Sequence, residues 1–198
     1  MKLNAKMLLP ALALPLLLAA CGSASTGSGT VKFNDLKTEY RDANGKYVAC
    51  DNTINQDGST TTITNVGVYY TASGTVSSVG INLLGNTGST YDANYSATVQ
   101  GSNLQSIGGN DFKTIFTANS SDGLLPQAIV VKPNANVNIK TVTASNRAGG
   151  ANSGSGFYAK LTINGNGQTA STNSNSALLP SIPVYVNCTV TAVTGDKL

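Results

Sequence analysis

The stretch Asn136-Val137-Asn138-Ile139-Lys140-Thr141-Val142-Thr143-Ala144 carries the pattern that decides the fold of this 198-residue chain. Its apolar and β-branched side chains at 137, 139, 141 and 143 alternate with the polar ones at 136, 138 and 140. In a β-strand, successive side chains point to opposite faces, so a period of two is typical of a strand with one buried face. The pattern therefore predicts a β-strand over residues 136–144.

The rest of the chain from residue 31 onward repeats this kind of pattern. Short β-branched or aromatic runs alternate with glycine, Asn-Gly, Asp-Gly and proline signals, and no run is a convincing amphipathic helix. The other predicted strands are 31–42, 46–53, 60–71, 76–84, 91–100, 111–119, 128–131, 157–163 and 184–190. This layout predicts an all-β fold, an antiparallel β-sandwich formed as one domain by residues 31–198.

Two polar segments flank the predicted strand 157–163. Residues 145–156 and 168–177 are rich in Gly, Ser and Asn, which predicts loops at both places. They are interpreted either as flexible surface loops that take no part in binding or as a rim that binds a ligand.

The N-terminal residues have the composition of an export signal. Lys2 and Lys6 precede an apolar run at residues 7–18 that is too short to span a bilayer comfortably. A buried N-terminal helix is the alternative, but Pro10 and Pro15 would each interrupt its hydrogen bonds. We therefore predict that residues 1–20 are a signal peptide and that residues 21–30 form a short flexible tether.

The junction Leu18-Ala19-Ala20-Cys21 resembles the lipobox of bacterial lipoproteins. The resemblance implies that Cys21 becomes the first residue of the mature protein and carries a lipid anchor with acyl chains such as palmitate. It also implies that the membrane is a partner, and that the protein is exported to the outer membrane or cell surface, because no aspartate follows Cys21 as a retention signal.

The two remaining cysteines, Cys50 and Cys188, are predicted to form a disulfide bond. An exported protein folds in an oxidising compartment, where an even number of cysteines favours pairing. The bond would place the first and last strands of the domain side by side. Two independent buried thiols are the alternative.

Composition limits the classes of partner. Removal of residues 1–20 lowers the formal net charge from +3 to +1, and no basic cluster remains to neutralise phosphates, so we expect no nucleic-acid partner. Charged residues make up 11% of the chain, well below the roughly 25% of ordinary soluble domains. A surface solubilised by hydroxyl and amide groups resists association weakly, which favours neighbours in an assembly.

The chain offers little catalytic chemistry. It has no histidine, which excludes Ser-His-Asp and Cys-His nucleophiles and histidine-bound zinc or copper. Glu39 and eight aspartates do not predict two carboxylates in one cleft, so we expect no enzyme, no cofactor and no metal. Calcium at the neighbouring turns 42–45 and 51–58 is an alternative, although ordinary turn chemistry explains these aspartates equally well.

Tyrosines are the candidate ligand-binding residues. Tyr69 and Tyr70 are adjacent, so one ring is expected in the core and the other at the surface, where it would join Tyr91 and Tyr95 in a patch that stacks on sugars. Packing within the sheets is the commoner use of such tyrosines.

One further resemblance concerns the domain. The pattern Val76-x-x-Val79-x-Ile81-x-Leu83-x-Gly85, then Tyr95-x-Ala97-x-Val99, then residues 112–119 and Asp122-Gly123, is similar to the bacterial Ig-like repeats of surface proteins. The Gly-Asn that usually closes this motif is absent, because Leu124 follows Gly123. The resemblance implies an Ig-like sandwich and no specific activity.

These observations predict a membrane-anchored envelope lipoprotein that acts as a structural or interaction module, with a subunit of a surface or outer-envelope assembly as the specific expectation. Its partner would be an envelope protein or a glycan. A module that binds glycans or small ligands is the alternative function, and a hydrolase that uses aspartates alone is a third.

Overall fold

The computed structural model describes residues 23–25, 29–85, 96–119, 128–132, 135–147, 156–166, 168–173 and 181–198. The strands of the first half are β1 (Ser23–Ser25), β2 (Gly29–Thr38), β3 (Tyr40–Arg41), β4 (Tyr47–Cys50), β5 (Thr53–Ile54), β6 (Thr60–Thr61), β7 (Ile63–Gly74) and β8 (Ser78–Gly85). Those of the second half are β9 (Ser96–Gln100), β10 (Gln105–Gly108), β11 (Asp111–Asn119), β12 (Ala128–Val131), β13 (Asn138–Arg147), β14 (Gly156–Gly165), β15 (Gln168–Asn173) and β16 (Ile182–Lys197). One short 3₁₀ turn, Gly101–Asn103, lies between β9 and β10. Across the described residues, no helix has both the length and the hydrophobicity that a bilayer crossing demands.

The strands form two sheets. The first has the order β1-β2-β7-β11-β10. β10 pairs with the N-terminal part of β11, and β12 pairs with its C-terminal part. The second has the order β13-β3-β4-β16-β14-β8-β9, with β15 beside β14 and the β5–β6 hairpin beside β16. The predicted all-β sandwich is thus confirmed. Three short pairings are parallel, which the sequence did not indicate: β3 with β13, and β4 and β5 with β16.

The main core lies between the two sheets, because the alternating apolar side chains of both sheets point inward. Its fully buried members are Val31, Phe33, Leu36, Ala49, Val66, Val68, Tyr70, Ala72, Val79, Ile81, Leu83, Phe116, Ala118, Phe157, Ala159, Leu161, Ile163, Ile182 and Val184. Burial of each large aliphatic or aromatic side chain contributes about 1.5–3 kcal/mol to folding. A bulge between Phe33 and Asp35 keeps Leu36 on the core side of β2.

A second, smaller core fills a closed ring of four strands at one end of the second sheet. β3 pairs with β4, β4 with β16, β16 with β13, and β13 again with β3. The side chains that fill this ring are Tyr40, Val48, Cys50, Val142, Cys188 and Val190. Each of these four strands is therefore paired on both sides over part of its length.

The chain passes from the first sheet to the second at Glu39, which is 3% exposed. Its Oε1 accepts hydrogen bonds from the amide N and the Nδ2 of Asn65, both at 2.8 Å, and its Oε2 lies 3.1 Å from Lys140 Nζ. The main-chain N of Glu39 donates to Asn65 O, and its O accepts from Lys140 N. The predicted strand 31–42 is therefore two strands, β2 and β3, that belong to different sheets.

Several strand boundaries differ from those predicted. The predicted strand 46–53 is divided into β4 and β5, and β10 lies where no strand was expected. The polar segment 168–177 was predicted as a loop, but residues 168–173 form β15 and pair with β14 from Lys160 to Gly165. This prediction was wrong because backbone hydrogen bonds to a neighbouring strand can order a polar segment that has no apolar face.

The predicted alternation of buried and exposed side chains in residues 136–144 also changes partway along β13. A bulge lies between Thr141 and Val142 in the pairing with β16. Ile139 and Val142 are therefore buried, whereas Thr143 is exposed. A strand forms here as predicted, although it spans Asn138–Arg147, and its inward face shifts by one residue after the bulge.

Candidate functional site

The disulfide between Cys50 and Cys188 lies inside the four-strand ring. It joins β4 to β16 with a Cα–Cα distance of 6.0 Å, and both cysteines are buried. The predicted pairing is confirmed. The prediction that the bond places the first and last strands of the domain side by side was wrong, because β4 lies beside β16 and β2 belongs to the other sheet.

Tyr40 closes the ring on the side of the first sheet. Its hydroxyl donates to Ile63 O at 3.4 Å, and the buried Thr38 hydroxyl nearby donates to Val48 O at 2.5 Å. Burial, followed by the charge of Glu39, raises the pKa of Tyr40 well above its usual value. The hydroxyl groups of Tyr40 and Thr38 thus both bind main-chain carbonyl groups at this end of the domain.

Of the predicted ligand-binding tyrosines, Tyr70 is ruled out as a surface platform. It is fully buried in the main core, stacks on Phe112 and hydrogen-bonds Thr114. Burial also raises its pKa. As predicted, the neighbouring Tyr69 points to the other face of β7.

Tyr69 is half-buried and already has a cation on its ring. Lys37 Nζ lies 4.7 Å from the ring centroid, and Lys37 is paired with Asp35 at 3.2 Å. Burial, followed by the nearby Tyr47 and Asp35, raises the pKa of Tyr69 to about 12. Because Lys37 covers one face of the ring, that face is not available for stacking on a sugar.

Three predicted site residues, Cys21, Tyr91 and Tyr95, lie outside the described residues. The lipid-anchor prediction and the remainder of the tyrosine patch therefore stay predictions.

The aspartates proposed as calcium ligands hold their own turns. Asp42 Oδ1 accepts from the amides of Asn44 (2.9 Å) and Lys46 (2.8 Å), and Asp57 Oδ1 accepts from Ser59 N (2.9 Å) and Ser59 Oγ (2.6 Å). The hydrogen bonds from Ser59 lower the pKa of Asp57. Within the described ranges, no group of three or more His, Cys, Asp or Glu residues could hold a metal ion.

Both turns are three-residue hairpin loops with the same geometry. Gly45 and Gly58 occupy equivalent positions at φ +79° and +80°, and each donates its amide to the residue three positions earlier. Glycine suits this left-handed position, which closes a type I turn plus bulge. The Asn44-Gly45 signal therefore marks a three-residue loop and not a two-residue turn, because Asp42 pairs with Lys46.

The other described aspartates are each engaged in a separate place. Asp51 Oδ1 accepts from Asn187 N, Asp111 Oδ1 accepts from Thr71 Oγ1, and Asp196 pairs with Arg41 at 3.3 Å. None of these contacts joins one described aspartate to another, whereas hydrolysis by aspartates alone requires two carboxylates in one cleft.

One side of the sandwich has two unpaired strand edges next to each other. Among the described strands, β9 of the second sheet pairs with β8 alone, and β12 of the first sheet pairs with β11 alone. Between them lies an open groove of about 560 Å³ lined by Thr98, Val99, Gln100, Ser102, Asn103, Leu104, Gln105 and Val131. The side chain of Val130 in β12 is 61% exposed.

A second open cleft, of about 580 Å³, lies at the tip of the β3–β4 hairpin. It is lined by Asp42, Asn44, Gly45, Lys46, Ser181, Pro183 and Tyr185. Sequence reasoning did not identify it, because the hairpin and the start of β16 are about 140 residues apart. The prediction of a Cys50–Cys188 bond was the one signal that could have brought the two segments together.

Comparison with family models, with curated proteins and with solved structures finds no significant match for this chain.

Proposed function

We propose that this protein is an exported lipoprotein of the bacterial envelope, anchored through Cys21, and that its sandwich binds a partner protein along the β9/β12 edge. The observation that carries the proposal is a pair of adjacent strand edges that no other described strand covers, with a groove between them. Unpaired edges present rows of backbone donors and acceptors that accept an additional strand.

The hydrogen bonds of β12 define which of its groups face outward. Lys132 N donates to Ile115 O at 2.8 Å, and the register places Val130 opposite Thr117 and Val131 opposite Phe116. Hydrogen-bonded pairs alternate along an antiparallel ladder, so Val130 bonds to Thr117. The amide N–H of Val131 therefore points away from β11, toward the open edge.

The chemistry of this edge suits an extended polypeptide. β9 (SATVQ) and β12 (AIVV) contain none of the lysine, glutamate or proline residues that commonly protect exposed edges. The groove lining has amides and hydroxyls over an apolar floor of Val99, Leu104 and Val131, and it contains no aromatic ring on which a sugar could stack. An uncharged strand of another envelope protein is the occupant that fits these features.

Export and anchoring rest on three observations from different parts of the chain. The signal-like segment ends in Leu18-Ala19-Ala20-Cys21, the buried disulfide suits an oxidising compartment, and the mature chain is almost neutral. We also propose that the sandwich is of the Ig-like type, which is supported by β8 ending at Gly85 and pairing with β9, the next described strand.

A pull-down from native membranes in mild detergent tests the binding surface. Wild type is expected to retain one partner in stoichiometric amount, and hydrogen exchange at β9 and β12 is expected to slow in the complex. The Val131→Pro variant should lose the partner, because proline removes the outward N–H without removing a bond to β11. Val131→Thr, which keeps the N–H and the side-chain shape, is the matched control. Retention of the partner by a folded Val131→Pro variant would refute the edge as the binding surface.

The anchor is tested separately by phase partition. The wild-type protein is expected in the detergent-rich phase of a Triton X-114 extract, and the Cys21→Ser variant in the aqueous phase. An unlipidated Cys21 in the mass spectrum of the mature wild-type protein would disprove lipid anchoring and leave the β9/β12 proposal standing.

A further inference from the structure

We infer that the cleft between the β3–β4 hairpin and Tyr185 binds a neutral saccharide unit of a glycan. The cleft is built from strands other than β9 and β12, so this inference goes beyond the proposed protein-binding edge. It assigns a binding role to Lys46, Pro183 and Tyr185, which the sequence analysis did not select.

The floor of the cleft is an aromatic ring on a rigid support. Tyr185 lies opposite Cys50 in the parallel pairing with β4 and opposite Arg147 in the pairing with β13, so its backbone is held on both sides. Its half-buried side chain packs against the core of the closed ring, and Pro183, two residues earlier on the same face of β16, extends the floor. Tyrosine provides an apolar face and a polar tip, which suits the mixed surface of a sugar ring.

The wall of the cleft is the hairpin tip, which is held in place by its own hydrogen bonds. Asp42 uses Oδ1 alone to accept from Asn44 N and Lys46 N, so its second oxygen, Oδ2, is not needed to hold the turn. The main chain adds two bonds, Asp42 N to Lys46 O and Gly45 N to Asp42 O, both at 2.9 Å. A carboxylate oxygen, the Asn44 amide and the Lys46 ammonium therefore surround the floor from one side.

The charge of the cleft favours a neutral ligand. One carboxylate (Asp42) and one ammonium (Lys46) balance, and the remaining polar groups are an amide and hydroxyls. Such groups match a ligand that presents many hydroxyls, each able to donate and to accept a hydrogen bond. The volume of about 580 Å³ lies within the roughly 300–1,000 Å³ of small-ligand sites. A polyanion would face Asp42 without a second cation in the lining, and an apolar peptide would leave the polar wall without partners.

Calorimetric titration of the full-length protein, in a detergent without a sugar head group, tests the inference. The probes are two neutral oligosaccharides, chitopentaose and maltopentaose, and one acidic oligosaccharide, a galacturonic acid pentamer. We expect at least one neutral probe to bind more tightly than the acidic one. No heat with either neutral probe at millimolar concentrations, or binding of the acidic probe alone, would overturn the inference.

Variants then place the binding in this cleft. Tyr185→Ala should weaken binding by about tenfold or more, whereas Tyr185→Phe, which keeps the ring, should stay within about threefold of wild type. Lys46→Ala should weaken binding severalfold, and Ser59→Ala, at the equivalent position of the β5–β6 hairpin, should leave it unchanged. Wild-type affinity in the Tyr185→Ala variant would overturn the inference. If the Tyr185→Ala variant fails to fold, the comparison of the exposed variants Lys46→Ala and Ser59→Ala tests the inference instead. Equal saccharide affinities in these two variants would overturn the inference.

Discussion

Cys50 of β4 and Cys188 of β16 are bonded across two parallel strands, inside a ring of strands that closes on itself. The residue that lies directly opposite Cys50 is Tyr185, three positions before Cys188 on the same strand. The bond therefore supports the core of the ring and also the strand that carries the floor of the proposed saccharide site.

The first prediction concerns the loss of this bond. The disulfide joins residues 138 positions apart, and the chain-entropy relation gives such a loop about 5 kcal/mol as an upper value. The Cys50→Ala/Cys188→Ala double variant is expected to lower the free energy of unfolding by about 2–5 kcal/mol, as measured by urea denaturation. Reductant should destabilise wild type and leave the double variant unchanged. Equal midpoints for the oxidised wild type and the variant would contradict the prediction.

The second prediction concerns the crossing between sheets at Glu39. Glu39→Ala leaves the amide and side-chain N–H groups of Asn65 without their acceptor in a part-buried position, so we expect a loss of about 2–4 kcal/mol in unfolding free energy. Lys140→Ala is the control from the same network, because the Lys140 side chain is 25% exposed and its loss should cost less. Similar losses for the two variants would show that the ion pair, and not the Asn65 bonds, dominates.

The third prediction concerns the left-handed residue in β16. Asn187 has φ +54°, and its amide N donates to Asp51 Oδ1 at 3.0 Å. Asn187→Val should destabilise the domain by about 1–2 kcal/mol, because a β-branched residue is strained in this conformation. Asn187→Gly relieves the strain and should stay close to wild type. Thermal unfolding of both variants is the measurement, and equal stabilities would exclude strain at this position.

The fourth prediction concerns alkaline pH. The pKa of Tyr69 is raised from 10.0 to about 12, mainly by burial, and those of Tyr40 and Tyr70 are raised as well. Above pH 10 the unfolded chain loses these protons before the folded protein does, so stability should fall as the pH rises from 10 through 12. Absorbance at 295 nm should show late-titrating tyrosines in the folded protein and uniform titration near pH 10 in urea. In Tyr69→Phe, the stability loss over this range should be smaller than in wild type.

Local sequence was sufficient to predict most of the strands and the positions of the two hairpin turns. The alternation of residues 136–144, the β-branched run that became β7, and the glycines of the two hairpins are properties of neighbouring residues, because side-chain period and allowed φ depend on local geometry. The pairing of Cys50 with Cys188 followed from the predicted export and from the two cysteines left after Cys21. The burial of one of the two adjacent residues Tyr69 and Tyr70 also followed from local geometry, because successive side chains of a strand point to opposite faces.

Long-range pairing decided the rest. The chain changes sheets at Glu39 because Asn65 and Lys140 supply partners there, and nothing in residues 31–42 distinguishes this position from a continuous strand. β15 forms because its backbone pairs with that of β14. The bulge in β13 arises only from the register of its pairing with β16.

The candidate sites show the same division between local and long-range information. Composition limited the classes of chemistry, since a chain without histidine excludes the Ser-His-Asp and Cys-His nucleophiles. The open edge at β9 and β12 and the cleft at Tyr185 each combine residues that are distant in the chain. Which edges stay unpaired and which surfaces meet is set by the packing of the two sheets, and that packing is a property of the folded chain as a whole.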